Sequence, residues 1–161
     1  MALQDAHTTK CKWGSSSIVV SGTLTTDKSV AMADYDGEMQ TAAIFSILGN
    51  SSSNAPAAYY CGAFTFPNGK KGYLGAAGEW QAALDNKDAI SNALVTCGGS
   101  AMNKEYWTST QYSLNTSWYM YWLSEFLKFY RKSVNIYVRA FTTLKSYEEE
   151  VVEITFLVAA I

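Results

Sequence analysis

Apolar and polar positions change rhythm about halfway along the chain. Residues 13–33 hold short apolar or Thr-rich runs, at 17–21 and 31–33, separated by Gly22 and the Asp27-Lys28 pair. Short strands joined by turns are expected there. After Asp34-Tyr35-Asp36-Gly37 the spacing becomes helical: Met39, Ala42, Ala43, Ile47 and Leu48 can share one apolar face, with Gly49 as the stop. Ser51-Ser52-Ser53-Asn54 reads as a loop, with Pro56 just beyond it. Residues 59–66 fit either a strand or a buried irregular segment, ending at the Pro67-Asn68-Gly69 turn. A second helix is expected over about residues 76–84, burying Trp80, Ala83 and Leu84. A third, over about residues 88–96, presents Ile90, Ala93, Leu94 and Cys97 at i, i+3, i+4, i+7 spacing before Gly98-Gly99 ends it.

From Tyr106 the texture is different. Short β-rich runs dominate to residue 141, and the acidic patch Glu148-Glu149-Glu150 precedes a last apolar run, residues 151–161. Helices first and strands second is the order of an α+β fold. At 161 residues, without an internal repeat or a dividing linker, one domain over residues 1–161 is expected. The last run is far short of the roughly 20 residues that span a bilayer, so membrane insertion is not expected. It reads as a buried strand.

Composition narrows the function classes. Hydrophobic residues make up 48% and charged residues 16%, a balance opposed to wholesale disorder. The net charge of -2 would not gather a polyanion, so nucleic acid is not an expected partner. The one histidine, His7, lies near an end expected to fray, and a histidine-rich metal cluster cannot be built from it. Cys11, Cys61 and Cys97 form no CxxC pair. They read as buried free cysteines, with a Cys61–Cys97 disulfide as the alternative. The first 13 residues contain no apolar stretch of the signal-peptide kind, so the chain carries no intact signal peptide.

Aromatic content carries the most information. Ten of the 25 residues from Tyr106 to Tyr130 are aromatic, out of 23 in the chain. Strand alternation through residues 118–123 puts Trp118, Met120 and Trp122 on one face, and Tyr119, Tyr121 and Leu123 on the other. The first set suits a core. The second offers rigid rings with hydroxyls, suited to protein recognition or to a sheet buried on both faces. Across residues 123–137, Leu123, Ser124, Phe126, Lys128, Tyr130, Ser133, Asn135 and Tyr137 mix sizes and polarities without a steady rule. Trp122, Leu127, Val134, Ile136 and Val138 interrupt them as scaffold. An outward set so rich in rings points to an exposed recognition patch.

Catalytic and metal chemistry is poorly supplied. Asp34, Asp36 and Glu38 suit a helix start, where backbone N–H groups favour negative charge. As calcium ligands they lack the glycine and final glutamate of an EF-hand loop. Gly75-Ala76-Ala77-Gly78-Glu79-Trp80 matches neither phosphate-binding signature and is assigned to helix initiation and packing. Ser109 and Thr110 have no neighbouring histidine base. Glu105 and Glu125 would meet as a carboxylate pair only by tertiary accident. No enzyme activity, metal or cofactor is expected.

Three segments together resemble a known group. Residues 72–80, Gly72-Tyr73-Leu74-Gly75-Ala76-Ala77-Gly78-Glu79-Trp80, are similar to an element usually ending in Gly-Glu-Trp. Tyr106-Trp107-Thr108-Ser109-Thr110 is similar to a Tyr-Trp-Ser/Thr-Ser-Thr/Ser element, and Val138-Arg139-Ala140-Phe141 to a closing strand. Their order resembles the C-type-lectin-fold variable proteins of bacteria and phages diversified by retroelements, related in fold to formylglycine-generating enzyme domains. The motif-bearing part covers about residues 30–142. Two departures are plain: Gly75-Ala76 stands where the family has Pro-Ser, and 20 residues follow Phe141.

The resemblance implies a C-type lectin-like scaffold whose C-terminal antiparallel sheet displays a changeable face. Diversification directed at adenines would alter Leu114, Asn115, Tyr119, Tyr121, Leu123, Ser124, Phe126, Tyr130, Ser133, Asn135 and Ile136. Trp107, Trp118, Trp122 and Val138 would be scaffold, and alternation also places Ile136 on the Val138 face. The expected function is non-enzymatic recognition of a protein or cell-surface ligand. The expected setting is a cell surface, a secreted protein or a phage particle, with homo-oligomers left open. The alternative is a constant structural or adhesin subunit of a fimbria or phage tail. A reactive late cysteine, needed for an enzyme like the formylglycine-generating group, is not present. A lectin fold by itself does not imply a sugar ligand.

Overall fold

The computed structural model describes residues 1–20 and 22–143. Five helices come first: α1 Lys28–Met32, α2 Gly37–Leu48, α3 Pro56–Ala63, α4 Ala77–Asp85 and α5 Lys87–Thr96. The short strand β1 Tyr73–Leu74 lies between α3 and α4. β2 Glu105–Gln111, β3 Thr116–Tyr121, β4 Phe126–Arg131 and β5 Ala140–Phe141 follow. β2-β3-β4 form an antiparallel meander, and β1 pairs with β5 antiparallel. This is an α+β architecture with N-terminal helices and C-terminal antiparallel strands. The expected strand at residues 151–161 lies outside the described residues.

Several local expectations change. Residues 28–32 are a helix rather than a strand, because Asp27 caps it: its Oδ1 accepts from the Ser29 and Val30 N–H groups at 2.8 and 3.4 Å. The Ser29 hydroxyl, which also donates to this carboxylate, and then those two N–H bonds hold the Asp27 carboxyl below its ordinary pKa. A helix over Pro56–Ala63 takes in residues 59–63 of the 59–66 segment expected as a strand or irregular. Pro56 presets the first-turn backbone, and small Ala57, Ala58 and Cys61 let the helix press into the core.

The ends of α2 match the pattern, and Gly49 closes it at φ +85°, where glycine is favoured. Its buried face matches only in part: Leu48 is buried and Ala43 half-buried as expected. Gln40, Thr41, Ile44 and Leu48 point inward, while Met39 is 68% and Ile47 47% exposed. The inward polar groups are hydrogen-bonded: Ser109 Oγ donates to Gln40 Oε1 at 2.6 Å, and Leu74 N donates to Thr41 Oγ1 at 3.0 Å. On α5 only Leu94 is buried, and Ala93 and Cys97 face outward. The three cysteines are free thiols; Cys11 and Cys61 are buried and Cys97 is exposed. Burial pushes the Cys11 thiol up to about 12.

The N-terminal residues, expected to fray, instead run as a strap antiparallel to residues 132–140. Ala2 N donates to Ala140 O at 2.7 Å, Ala6 N to Val138 O at 2.9 Å and Trp13 N to Lys132 O at 3.0 Å. Cys11 and Ile136 exchange two bonds, both 2.9 Å. The Trp13 indole donates to Thr108 O, the Trp107 indole donates to Cys11 O, and His7 stacks on Tyr60 at 3.7 Å. Residue 137 in turn bonds to β2 through Trp107 N and Glu105 O. The strap and its partner therefore flank the meander on its β2 side.

Two apolar clusters lie on opposite faces of that meander. One joins Trp107 and Tyr119 to Trp13, Ile44, Leu48, Cys61, Ile136 and Val138. The other joins Tyr106, Trp118, Met120, Trp122 and Leu127 to Trp80, Leu94 and Phe141. Trp118, Met120 and Trp122 are thus buried together, as their two-residue period requires.

Lys132 was not foreseen as an interior residue. It is fully buried, its Nζ donating to Ile18 O, Gln111 Oε1 and Leu114 O at 2.8–3.0 Å, with the Trp13 ring 4.7 Å away. No carboxylate pairs with it among the described residues, and burial pulls its pKa from 10.5 to about 8. The unfolded chain therefore holds a proton here that the folded chain loses first. The resulting penalty is full below about pH 8 and is relieved as pH rises toward 10.5. Thermal melts across that window should show the wild type gaining stability relative to Lys132→Met; parallel curves would contradict the assignment.

Candidate recognition face

The hydroxyl residues of β2 are structural. Thr110 Oγ1 accepts from the Ala77 N–H at 2.9 Å and donates to Asp34 Oδ2 at 2.7 Å. Thr110 thus supplies, from a neighbouring strand, the cap that Ala76 cannot provide for α4. Glu79 reaches back to Ala76 N at 2.7 Å and accepts from Tyr73 Oη at 2.6 Å. Burial nevertheless raises its carboxyl pKa. Gly78 N donates to Asp34 O at 2.8 Å, and a Cβ at Gly78 would collide with that carbonyl. The glycine is needed because the α1–α2 loop touches the α4 backbone. Segment 75–80 is therefore helix start and packing, as the sequence indicates.

Asp34 and Glu38 are occupied within the fold. Asp34 Oδ1 accepts from Asp36 N at 3.1 Å, and Oδ2 also accepts from Gln40 Nε2 at 2.7 Å. Glu38 accepts from the Thr143 hydroxyl. Asp36 sits at the N-cap of α2 without a side-chain capping bond. Among the described residues, no three His, Cys, Asp or Glu side chains are placed to hold a metal ion. Glu105 and Glu125 pair separately, with Lys10 at 3.9 Å and with Lys87 at 2.7 Å. Among the described residues, no helix is long and apolar enough to cross a membrane.

The strand register determines which aromatics meet. Tyr121 lies opposite Phe126, Tyr119 opposite Lys128 and Ser117 opposite Tyr130. On the other side Trp107 lies opposite Tyr119, and Glu105 opposite Tyr121. Directly paired residues share a face, so Tyr119, Tyr121, Phe126 and Tyr130 stand together, away from Met120 and Trp118. Tyr121 meets Phe126 edge-on at 5.4 Å, and Tyr119 meets Tyr130 edge-on at 6.3 Å. Lys128 Nζ lies 4.3 Å from the Phe126 ring. The face is graded: Tyr119 is 8% exposed and anchored on Trp107, Tyr121 and Phe126 are half-buried, and Tyr130 is 50% exposed.

Between these rings and the chain after β4 lies a cleft of about 200 Å³, bounded by Lys10, Glu105, Tyr119, Tyr130, Asn135 and Ile136. Burial, then the Glu105 charge, raises the Tyr119 phenol pKa, so the ring stays a neutral donor. Asn135 is exposed at the rim, while Ile136 is only 3% exposed and packs in the core beside Val138. Its side chain is part of the scaffold that closes the cleft.

The remaining candidates stand at the two ends of the meander. Leu123 and Ser124 are exposed in the β3–β4 turn. Leu114, Asn115 and Ser133 are exposed at the opposite end. Asn115 Oδ1 accepts from the Ser17 N–H and hydroxyl, so its oxygen is already used inside the fold. Sequence reasoning missed Lys10 and Glu105 as neighbours of the tyrosines. Lys10 carries no periodic signal, and the sequence presents Glu105 only as half of a carboxylate pair with Glu125. A larger hollow of about 440 Å³, beside Leu24, Val30, Asp34 and Asp36, contains the acids already described.

No protein-family model, curated protein or solved structure matches this chain.

Proposed function

We propose that the chain is a C-type lectin-like, non-enzymatic recognition domain. In this reading it binds a protein or cell-surface ligand through the aromatic face of β3 and β4. The observation that carries the reading is the register, which gathers Tyr119, Tyr121, Phe126 and Tyr130 on one face beside a cleft with Asn135 at its rim. Rings that are partly buried beneath and exposed above lose little rotamer entropy on binding, and their hydroxyls suit a wet rim. Leu123 adds an exposed apolar anchor, and Ser124 and Ser133 add adaptable donors.

The lectin-like part of the proposal is supported by the meeting of the three motif segments. Tyr73 pairs with Phe141, Ser109 N donates to Gly75 O at 2.9 Å, and Thr110 caps Ala77. One end-to-end packing unit thus contains the three elements that resemble the family.

Nucleotide sequence around the gene tests diversification. A near-copy of the stretch encoding residues 107–139, differing chiefly at adenines and beside a reverse transcriptase, is the expected finding. Once a ligand is captured, alanine replacement of Tyr121, Phe126 and Tyr130 tests the face itself. At least one should weaken binding by roughly 2 kcal/mol or more with the melting curve retained. Unchanged affinity in all three would reject the face and favour the constant structural subunit.

A further inference from the structure

We propose that β4 is a self-pairing edge, along which a second copy of this chain extends the meander to six strands. β4 ends the β2-β3-β4 order. Among the described residues, no backbone bond outside the β3–β4 ladder reaches residues 126–130. An edge with free N–H and C=O groups is a template for another strand. Lys128, Phe129, Tyr130 and Arg131 are all exposed on it.

The sequence of β4 selects the occupant. Phe126, Lys128 and Tyr130 share one face, and Leu127, Phe129 and Arg131 share the other. A twofold axis normal to the sheet makes two β4 strands antiparallel and joins like faces, so each residue meets one from the same set. Centring the pair on Lys128 opposes two lysines directly, which is destabilising. Centring it on Tyr130 sets Lys128 against Lys132, whose ammonium is committed inside its own protomer.

Centring on Phe129 removes both conflicts. Phe129 then faces its own copy, Lys128 of each protomer meets the Tyr130 ring of the other, and Arg131 lies opposite the buried, uncharged Leu127. Edge lysines usually discourage pairing. In this register each cation has a ring or an aliphatic neighbour, and no like charges meet within residues 127–131. An unrelated extended peptide would have no reason to match this alternation of cation and ring. The contact is one strand long, below the roughly 1,200–2,000 Å² of a stable interface, so the dimer is weak and concentration-dependent.

Sedimentation velocity of the full chain, from low to high micromolar concentration and without ligand, tests this independently of the recognition reading. A reversible monomer–dimer shift is expected. Tyr130→Lys sets two lysine pairs against each other and should leave a monomer; adding Lys128→Glu should restore the dimer. In a Cys97→Ser background, Phe129→Cys should crosslink on mild oxidation, because directly opposed strand residues lie within disulfide reach. Leu123→Cys in the same background should crosslink far less. A wild-type monomer at every concentration would overturn the proposal. So would a dimer that survives Tyr130→Lys, a charge swap that restores nothing in folded protein, or an uncrosslinked Phe129→Cys dimer.

Discussion

Asp5→Ala is expected to destabilise the fold by about 3–5 kcal/mol, the range for leaving one member of a buried ion pair uncompensated. Arg139 is 0% exposed, and its guanidinium bonds to Asp5 Oδ1, with N–O distances of 2.9 and 3.1 Å. Asp5 Oδ2 also holds Lys104 Nζ at 2.7 Å. Among the described residues its further hydrogen bonds go to the Ser100 carbonyl and hydroxyl, and the Tyr106 ring lies 5.8 Å away, so no second negative charge remains beside it. Removing the carboxylate therefore strands a buried positive charge and frees the strap that bonds to residues 132–140. Urea unfolding measures the loss. The double variant Asp5→Ala/Arg139→Met should be less destabilised than Asp5→Ala, because no buried charge is left without a partner. A cost below about 1 kcal/mol for Asp5→Ala would show that the strap lies outside the cooperative unit.

That ion pair also shows where sequence reading stops. Asp5 meets Lys104 and Arg139 across 99 and 134 residues of sequence, with no spacing to connect them. The segment around Asp5 has neither strand alternation nor helical spacing; backbone bonds to residues 136–140 organise it. Lys132 was hidden for a related reason: a lysine in a mixed polar run reads as solvated, and only the fold supplies its three carbonyl-type acceptors. The α2 face was misread because Gln40 and Thr41 are polar yet inward, satisfied by Ser109 and Leu74. Periodicity scores hydrophobicity and is blind to hydrogen bonds made by distant strands.

The face of β3 was legible because two-residue alternation is a local property. The sequence could place Tyr119 and Tyr121 on one side, but it could not say that Tyr119 would be anchored by Trp107 while Tyr130 stayed exposed. That gradient follows from the bonded order β2-β3-β4, with Trp107 beside Tyr119 and Tyr130 on the strand farther out. The α4 start was legible as packing, whereas its cap came from Thr110 across the fold.

Trp122→Ala should cost about 3–5 kcal/mol in urea unfolding, the usual range for emptying a large aromatic site. Trp122 is 1% exposed, its ring meeting Trp80 at 6.4 Å and 70° in the cluster that joins α4 to the meander. Trp80 also packs on Tyr106 at 4.9 Å and on Phe141 at 5.0 Å, so the ring beside the void is held by two further rings and is not free to move inward. Leu123→Ala is the matched comparison. The next residue is 57% exposed in the β3–β4 turn, so its truncation should change stability by less than about 0.5 kcal/mol. Equal losses at the two positions would contradict the alternation on which the outward face depends. A large loss at Trp122 with none at Leu123 would separate the residue that holds the sheet to α4 from its solvent-exposed neighbour.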